Sequence, residues 1–313
     1  MLIKLCNIFV KKIFHKNMVT FIKNLLSKAI STFSYIPTFI KNIFTGSSLT
    51  DSYPKISNIN PLEKYALIIG CSYSQNKNIF LEKSAEEAKE MKNLIIKNYG
   101  FLESNILLLV DDNNSDSFKP TLSSIKKSLK LLQSYSEKGR AKFIYIFYTG
   151  LGSERRDLEF DLTNDRSSEE IVPIDFESSG SISFDQLKEI FLSNLDKNVT
   201  CLIVSDTCNM KSMNSLDYIY NPINRKWING NKDEKIKANI ILISSYIDDD
   251  YFNELDENGR ICGIIKYCLE KFLSDGNSFQ KIIDLSNQEC RKLRVAKVPI
   301  LSSTKMENGG YTL

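Results

Sequence analysis

The chain has 313 residues, 42% apolar and 25% charged, which is enough to bury a sizeable core and excludes an intrinsically disordered protein. The net charge of +3 is unevenly held: residues 1–50 contain seven of the 41 basic side chains and no Asp or Glu, leaving 34 basic against 38 acidic over the rest. A body balanced in this way gives no electrostatic case for nucleic-acid binding, and no nucleic-acid partner is expected.

Residues 1–44 are the first predicted segment. Phe14, Met18, Phe21, Ile22, Leu25, Ala29 and Phe33 recur at helical spacing, with Lys16 and Lys23 on the other side. The pattern is a basic amphipathic helix, too often broken by Lys and Asn to span a bilayer and without the small-residue cleavage site of a secretory signal. The expectation is an intracellular, cytoplasmic protein that meets a membrane surface through residues 1–44. The alternatives are a docked pro-segment and a mitochondrial presequence, the latter weakened by the lack of arginine in this stretch.

Residues 45–61, rich in Ser, Thr, Asn, Gly and Pro, read as a linker, and residues 62–313 as a single domain. Tyr65–Ile69 is a predicted buried strand stopped by Gly70, and Leu81–Asn98 a helix ended by Gly100. Strands follow at Asn105–Val110 and Phe143–Tyr148, with a helix at Thr121–Tyr135 between them. After a polar loop holding Ile171–Ile174, helical spacing returns at Phe184, Leu187, Ile190 and Phe191. A strand at 199–205 then leads to a long polar excursion, Asn209–Lys237, and a further strand at Asn239–Ser244. Helices near 260–273 and 278–294 and a last strand at Val298–Leu301 close the chain. Continuous apolar strands alternating with helices predict an α/β fold: a largely parallel six-stranded sheet with helices on both faces.

The seven cysteines, at 6, 71, 201, 208, 262, 268 and 290, are odd in number and scattered, as reduced intracellular thiols are. With no C-x-x-C pair and only one histidine, His15, no zinc site is expected. Thr149-Gly-Leu-Gly152 lacks the third glycine and the Gly-Lys-Ser/Thr of phosphate loops and reads as a tight turn after a strand. Asp157, Glu159, Asp161, Asp165, Glu169 and Glu170 alternate with Arg155, Arg156 and Arg166 without calcium-loop spacing, as a solvated loop does.

Cys208 is the sharpest chemical candidate, because it ends a central apolar strand, where α/β folds place their chemistry, and a thiol needs only a modest pKa drop to act as a nucleophile. The plain alternative is a buried structural cysteine. Asp206, two residues earlier, falls on the same strand face and is placed to hold a basic group.

Six stretches taken together resemble the caspase-like domain of metacaspases: Tyr65-Ala-Leu-Ile-Ile-Gly-Cys-Ser-Tyr73, Ala85-Glu-Glu-Ala-Lys-Glu-Met-Lys-Asn93, Leu107-Leu-Leu-Val-Asp-Asp112, Tyr148-Thr-Gly-Leu-Gly152, Val172-Pro-Ile-Asp-Phe176 and Ser205-Asp-Thr-Cys208. The resemblance implies a cysteine-peptidase fold with Cys208 at the nucleophile position, Gly152 as a backbone oxyanion donor, and Asp206, Thr149 and Cys71 around an acidic pocket for Arg or Lys. It also exposes a gap, since Leu151 occupies the position of the family's catalytic histidine and no histidine follows residue 15. The family's calcium-binding aspartates reduce to Asp185, so no cofactor is expected, and Ser74 stands where an acidic pocket residue would. The expected function is a catalytically impaired pseudopeptidase that binds a protein or peptide ligand. The alternative is an active endopeptidase cleaving after Arg or Lys with a base other than histidine.

Overall fold

The computed structural model describes residues 56–112, 118–152, 170–208, 216–230, 232–247, 263–272, 277–293, 295 and 297–305. All of them fall in one compact unit, Tyr53–Leu313. The predicted amphipathic segment 1–44 and most of the predicted linker lie outside the described residues, as does the acidic run from Asp157 to Glu169.

In chain order the elements are β1 (Lys64–Gly70), α1 (Ser84–Tyr99), β2 (Ile106–Val110), α2 (Leu122–Glu137), β3 (Phe143–Leu151), β4 (Glu170–Ile171), α3 (Phe176–Ser179), β5 (Ile182–Ser183), α4 (Phe184–Ile190) and β6 (Thr200–Cys208). They continue with β7 (Tyr218–Asn221), β8 (Lys226–Asn229), β9 (Asn239–Ile247), α5 (Ile264–Phe272), α6 (Phe279–Lys292) and β10 (Lys297–Ser303). The main sheet has the order β2-β1-β3-β6-β9-β10-β7-β8, and β4 pairs with β5 in a separate two-stranded sheet. Strands β2, β1, β3, β6 and β9 are parallel to one another in this order. Strand β10 runs antiparallel to both β9 and β7, and β8 antiparallel to β7.

The α/β, largely parallel architecture is as expected, but the sheet has eight strands rather than six. The two additional strands form a hairpin inside the stretch read as a polar excursion. Strand β8 lies at the sheet edge and is mostly exposed, so its Lys-Trp-Ile-Asn sequence carries no apolar alternation to announce it. Asn221 makes the turn: its side-chain oxygen accepts from the backbone N–H groups of Ile223, at 2.9 Å, and Asn224, at 3.3 Å.

Alternate residues of each central strand feed two cores. On one face Phe143, Tyr145, Phe147, Leu202, Val204, Ile241 and Ile243 pack with residues of α1, α5 and α6. On the other Ile144, Ile146, Tyr148, Cys201, Ile203, Ile240 and Leu242 pack with residues of α2 and α4. Burial on both faces is why these strands read as unbroken apolar runs, and each fully buried Ile or Leu contributes about 1.5–3 kcal/mol. Gly70 lets α1 close on the end of β1, since a Cβ there would lie 2.5 Å from the Ser84 carbonyl oxygen and 2.7 Å from the Ala88 Cβ. Helix α1 then ends at Gly100, whose φ of 65° suits a left-handed cap.

Candidate active site

Strands β3 and β6 stay paired to their last residues. Thr149 is the register partner of Asp206, Gly150 of Thr207, and Leu151 of Cys208. The predicted turn at Thr149–Gly152 is therefore corrected: the strand runs on through Leu151, because β6 is equally long and the ladder continues, and only Gly152 lies past it. The position expected to hold a base and the position expected to hold a nucleophile are thus adjacent across two parallel strands.

The surrounding predicted residues are mostly spent inside the fold. Thr149 is fully buried and its hydroxyl donates to Glu87 Oε2 at 3.0 Å, tying β3 to α1. Asp206 is fully buried, and its Oδ2 accepts the backbone N–H of Lys266 at 2.9 Å, in the first turn of α5. A carboxylate suits such a place, at a helix N-terminus where the N–H groups lack intrahelical acceptors. Cys71 is also fully buried, with its backbone N–H donating to the Thr149 carbonyl at 2.9 Å. Burial, and next the charge of Asp111, push its thiol well above the usual range, which favours the neutral thiol. Ser74 is exposed, and its N–H donates to Asp111 Oδ2 at 2.9 Å.

Two residues that sequence reasoning did not single out organise the strand end. The Tyr148 hydroxyl donates to the Leu151 carbonyl at 2.6 Å and accepts the Val172 N–H at 3.0 Å. The Tyr73 hydroxyl donates to the Val172 carbonyl at 2.7 Å and accepts the Leu151 N–H at 3.1 Å. Burial pushes both phenols up, so both stay neutral hydrogen-bond donors. The available signal was a tyrosine at an inward position of an otherwise apolar strand, since a buried phenol needs a partner.

The residues at the position of the family's calcium site do not fit that ion. Ser183 and Gln186 satisfy each other's backbone in a capping box at the start of α4, and Asp185 is exposed and ion-paired to Lys188 at 2.9 Å. Among the described residues no group of three or more His, Cys, Asp or Glu is arranged to hold a metal, and no helix is long and apolar enough to cross a membrane. Beside the strand ends of β1 and β2 opens a groove of about 760 Å³, lined by residues including Tyr73, Ser74, Asn76, Asp111, Asp175 and Glu177.

The largely parallel sheet, covered by helices on both faces, is that of a caspase-like α/β domain. Residues 64–218 match the family model described as "Metacaspase, peptidase C14 domain", and the chain belongs to this metacaspase and caspase-like family. It is 30% identical to Metacaspase-1 of Plasmodium falciparum over 167 residues, covering 53% of this chain and 27% of that protein. It is likewise 30% identical to Metacaspase-1 of Eremothecium gossypii over 155 residues, covering 50% of this chain and 33% of that one. The match thus spans a third or less of the length of these curated relatives. A crystal structure of the Drosophila initiator caspase Dronc aligns over 82% of this chain and 85% of that chain, with 10% identity and a TM-score of 0.49.

Proposed function

We propose that this chain is a metacaspase-like pseudopeptidase, impaired in hydrolysis, that binds a protein or peptide ligand at the strand ends of its sheet. One observation carries the reading: the register partner of Cys208 is Leu151, a hydrocarbon. General acid–base catalysis supplies about 10²–10⁴ in rate, and leucine supplies none of it. An unassisted thiol of pKa ~8.5 is only a few per cent thiolate at neutral pH, and a departing amine would find no proton donor.

In this reading Cys208 and the backbone N–H of Gly152 are retained parts of a cysteine-peptidase site, the nucleophile and an oxyanion donor. The groove between Ser74 and Glu177 is the described concavity nearest in character to a peptide site, being polar and open at the strand ends. Incubating the full chain with fluorogenic peptides bearing Arg or Lys before the scissile bond, with and without calcium, is the test. No turnover above a Cys208→Ala control is expected. Turnover that the substitution abolishes would show an active peptidase instead.

A further inference from the structure

Charge is unevenly spread over the folded domain as well as along the chain. Residues 118–142 carry seven basic side chains and one acidic, Glu137, whereas the rest of residues 51–313 carry 27 basic and 37 acidic. The excess is centred on α2, which buries Ile125, Leu129 and Leu132 against the sheet. Its other side leaves Lys126, Lys127 and Lys130 exposed, and Leu131, 38% exposed, lies four residues on from Lys127 and so beside it. The helix is 16 residues long, about 24 Å, and its outer face is a positive strip with no carboxylate of its own before Glu137.

These lysines differ from those of the other helices. Lys92 on α1 is paired with Glu103 at 2.7 Å, Lys188 on α4 with Asp185 at 2.9 Å, and Lys271 on α5 with Glu289 on α6 at 2.5 Å. Among the described residues, Lys126, Lys127 and Lys130 have no such carboxylate partner.

The surroundings say what kind of anion the strip suits. A site for one phosphate or carboxylate is built from arginine forks, free backbone N–H groups or an open helix N-terminus. Helix α2 contains no arginine, and the N–H groups at its start are taken. The Thr121 hydroxyl accepts that of Ser124 at 3.2 Å, and Asp175 Oδ1 accepts that of Leu122 at 2.8 Å. Asp175 also lines the shallow groove that Leu122, Ser123 and the three lysines share, and its carboxylate repels an anion at that end. What remains is a row of point charges on flexible stems beside an exposed leucine, which meets a diffuse anionic surface better than a single bound group.

We infer that the outer face of α2, through Lys126, Lys127 and Lys130, is a docking surface for an anionic lipid membrane. Residues 1–50, with seven lysines and no Asp or Glu, supply a second basic stretch with the same charge preference. Stable attachment without a spanning helix takes two such signals. The inference goes beyond the reading of Cys208 and stands without it.

The test is sedimentation of the full chain with vesicles of phosphatidylcholine, alone or with about one third phosphatidylserine. Each lysine near an anionic leaflet is worth about fivefold in partitioning. Lys126→Gln, Lys127→Gln and Lys130→Gln together are therefore expected to lower partitioning onto the anionic vesicles by about a hundredfold, and to leave that onto phosphatidylcholine unchanged. The same loss of charge at Lys226, Lys235 and Lys237, which are exposed on or near β8 and ahead of β9, is expected to cost less than about threefold. Residues 1–50 are present in every variant, so attachment that they give by themselves cancels from the comparison.

Equal partitioning of the parent and the α2 variant overturns the inference, as do equal losses in the two triple variants or a parent chain that ignores the anionic vesicles. A soluble polyglutamate peptide is the arm for an acidic protein partner. Peptide binding that the α2 substitutions abolish while vesicle partitioning stays put would assign the face to such a partner and overturn the lipid reading. Should the triple variant not fold, Lys130→Gln alone is held to the fivefold loss of about one lysine.

Discussion

Leu151 and Cys208 are direct register partners at the ends of two parallel strands, β3 and β6. A side chain at 151 therefore has the strand spacing of about 4.8 Å, and no more, between its backbone and that of the cysteine. In the pseudopeptidase reading, the residue at 151 decides whether the thiol has a proton acceptor.

Placing histidine at that position is the most direct check. Leu151→His is expected to raise the alkylation rate of Cys208 at pH 6.5 by about tenfold, because a neighbouring imidazole favours the thiolate. The pH–rate profile of Cys208 alkylation, followed by peptide mapping, reads this. A profile superimposable on that of the parent chain would mean that the strand end can no longer use a base.

The buried thiols make stability depend on pH in the alkaline range. Burial raises Cys201, and burial followed by the charge of Asp111 raises Cys71, both above the ordinary value of 9.0. The folded state thus keeps two protons that the unfolded chain releases, so this stability is fully present below that value and is lost as pH rises past it. The expected slope is about 1.4 kcal/mol per pH unit for each thiol. Urea unfolding under reducing conditions is expected to give equal free energies at pH 7 and 8, and a fall of about 2–3 kcal/mol between pH 9 and 10. Cys201→Ala is expected to reduce that slope by about 1.4 kcal/mol per pH unit whatever it does to the stability at pH 7.

Asp206 is expected to hold α5 in place. Asp206→Ala leaves the part-buried Lys266 N–H without this acceptor, a loss of about 1–2 kcal/mol. Asp206→Asn keeps an oxygen there and is expected to recover part of it. The denaturant midpoint with an unchanged m-value measures the cost, and hydrogen exchange is expected to place it in residues 264–272. A midpoint unmoved by Asp206→Ala would show that the bond contributes nothing.

Gly70→Ala tests the seating of α1. The added methyl meets a backbone oxygen at 2.5 Å and another Cβ at 2.7 Å, so the helix must shift. Overpacking of this kind costs about 1–3 kcal/mol, and thermal unfolding is expected to show it as a lower midpoint. Because α1 also carries Glu87, whose carboxylate accepts from Thr149, the same substitution is expected to disturb the strand end beside Cys208.

Much of the fold was legible in the sequence because burial on both faces writes a strand as an unbroken apolar run, as in Phe143–Tyr148 or Cys201–Val204. The hairpin at β7 and β8 was not, since an exposed edge strand has no apolar face to display. Nor was the antiparallel direction of β10: a strand covered on both sides reads the same whichever way it runs. Cys208, Leu151 and Asp206 were picked out from their order along the chain. Tyr73, Tyr148 and Glu87 were not, because their roles depend on partners brought in by the fold: 78 and 99 residues away for Tyr73, 62 for Glu87, and 24 for the Val172 N–H that Tyr148 accepts.

What the sequence determined by itself was the class of fold, a cysteine at the end of a central strand and the lack of any histidine after residue 15, all of them matters of residue type and spacing. Only the tertiary structure decided that Leu151 stands directly beside Cys208, that Asp206 and Thr149 are turned inward, and that two tyrosines carry the bonds between residues 151 and 172. Those facts depend on strand register and on the path of distant loops, and both are set by packing between segments that no local pattern encodes.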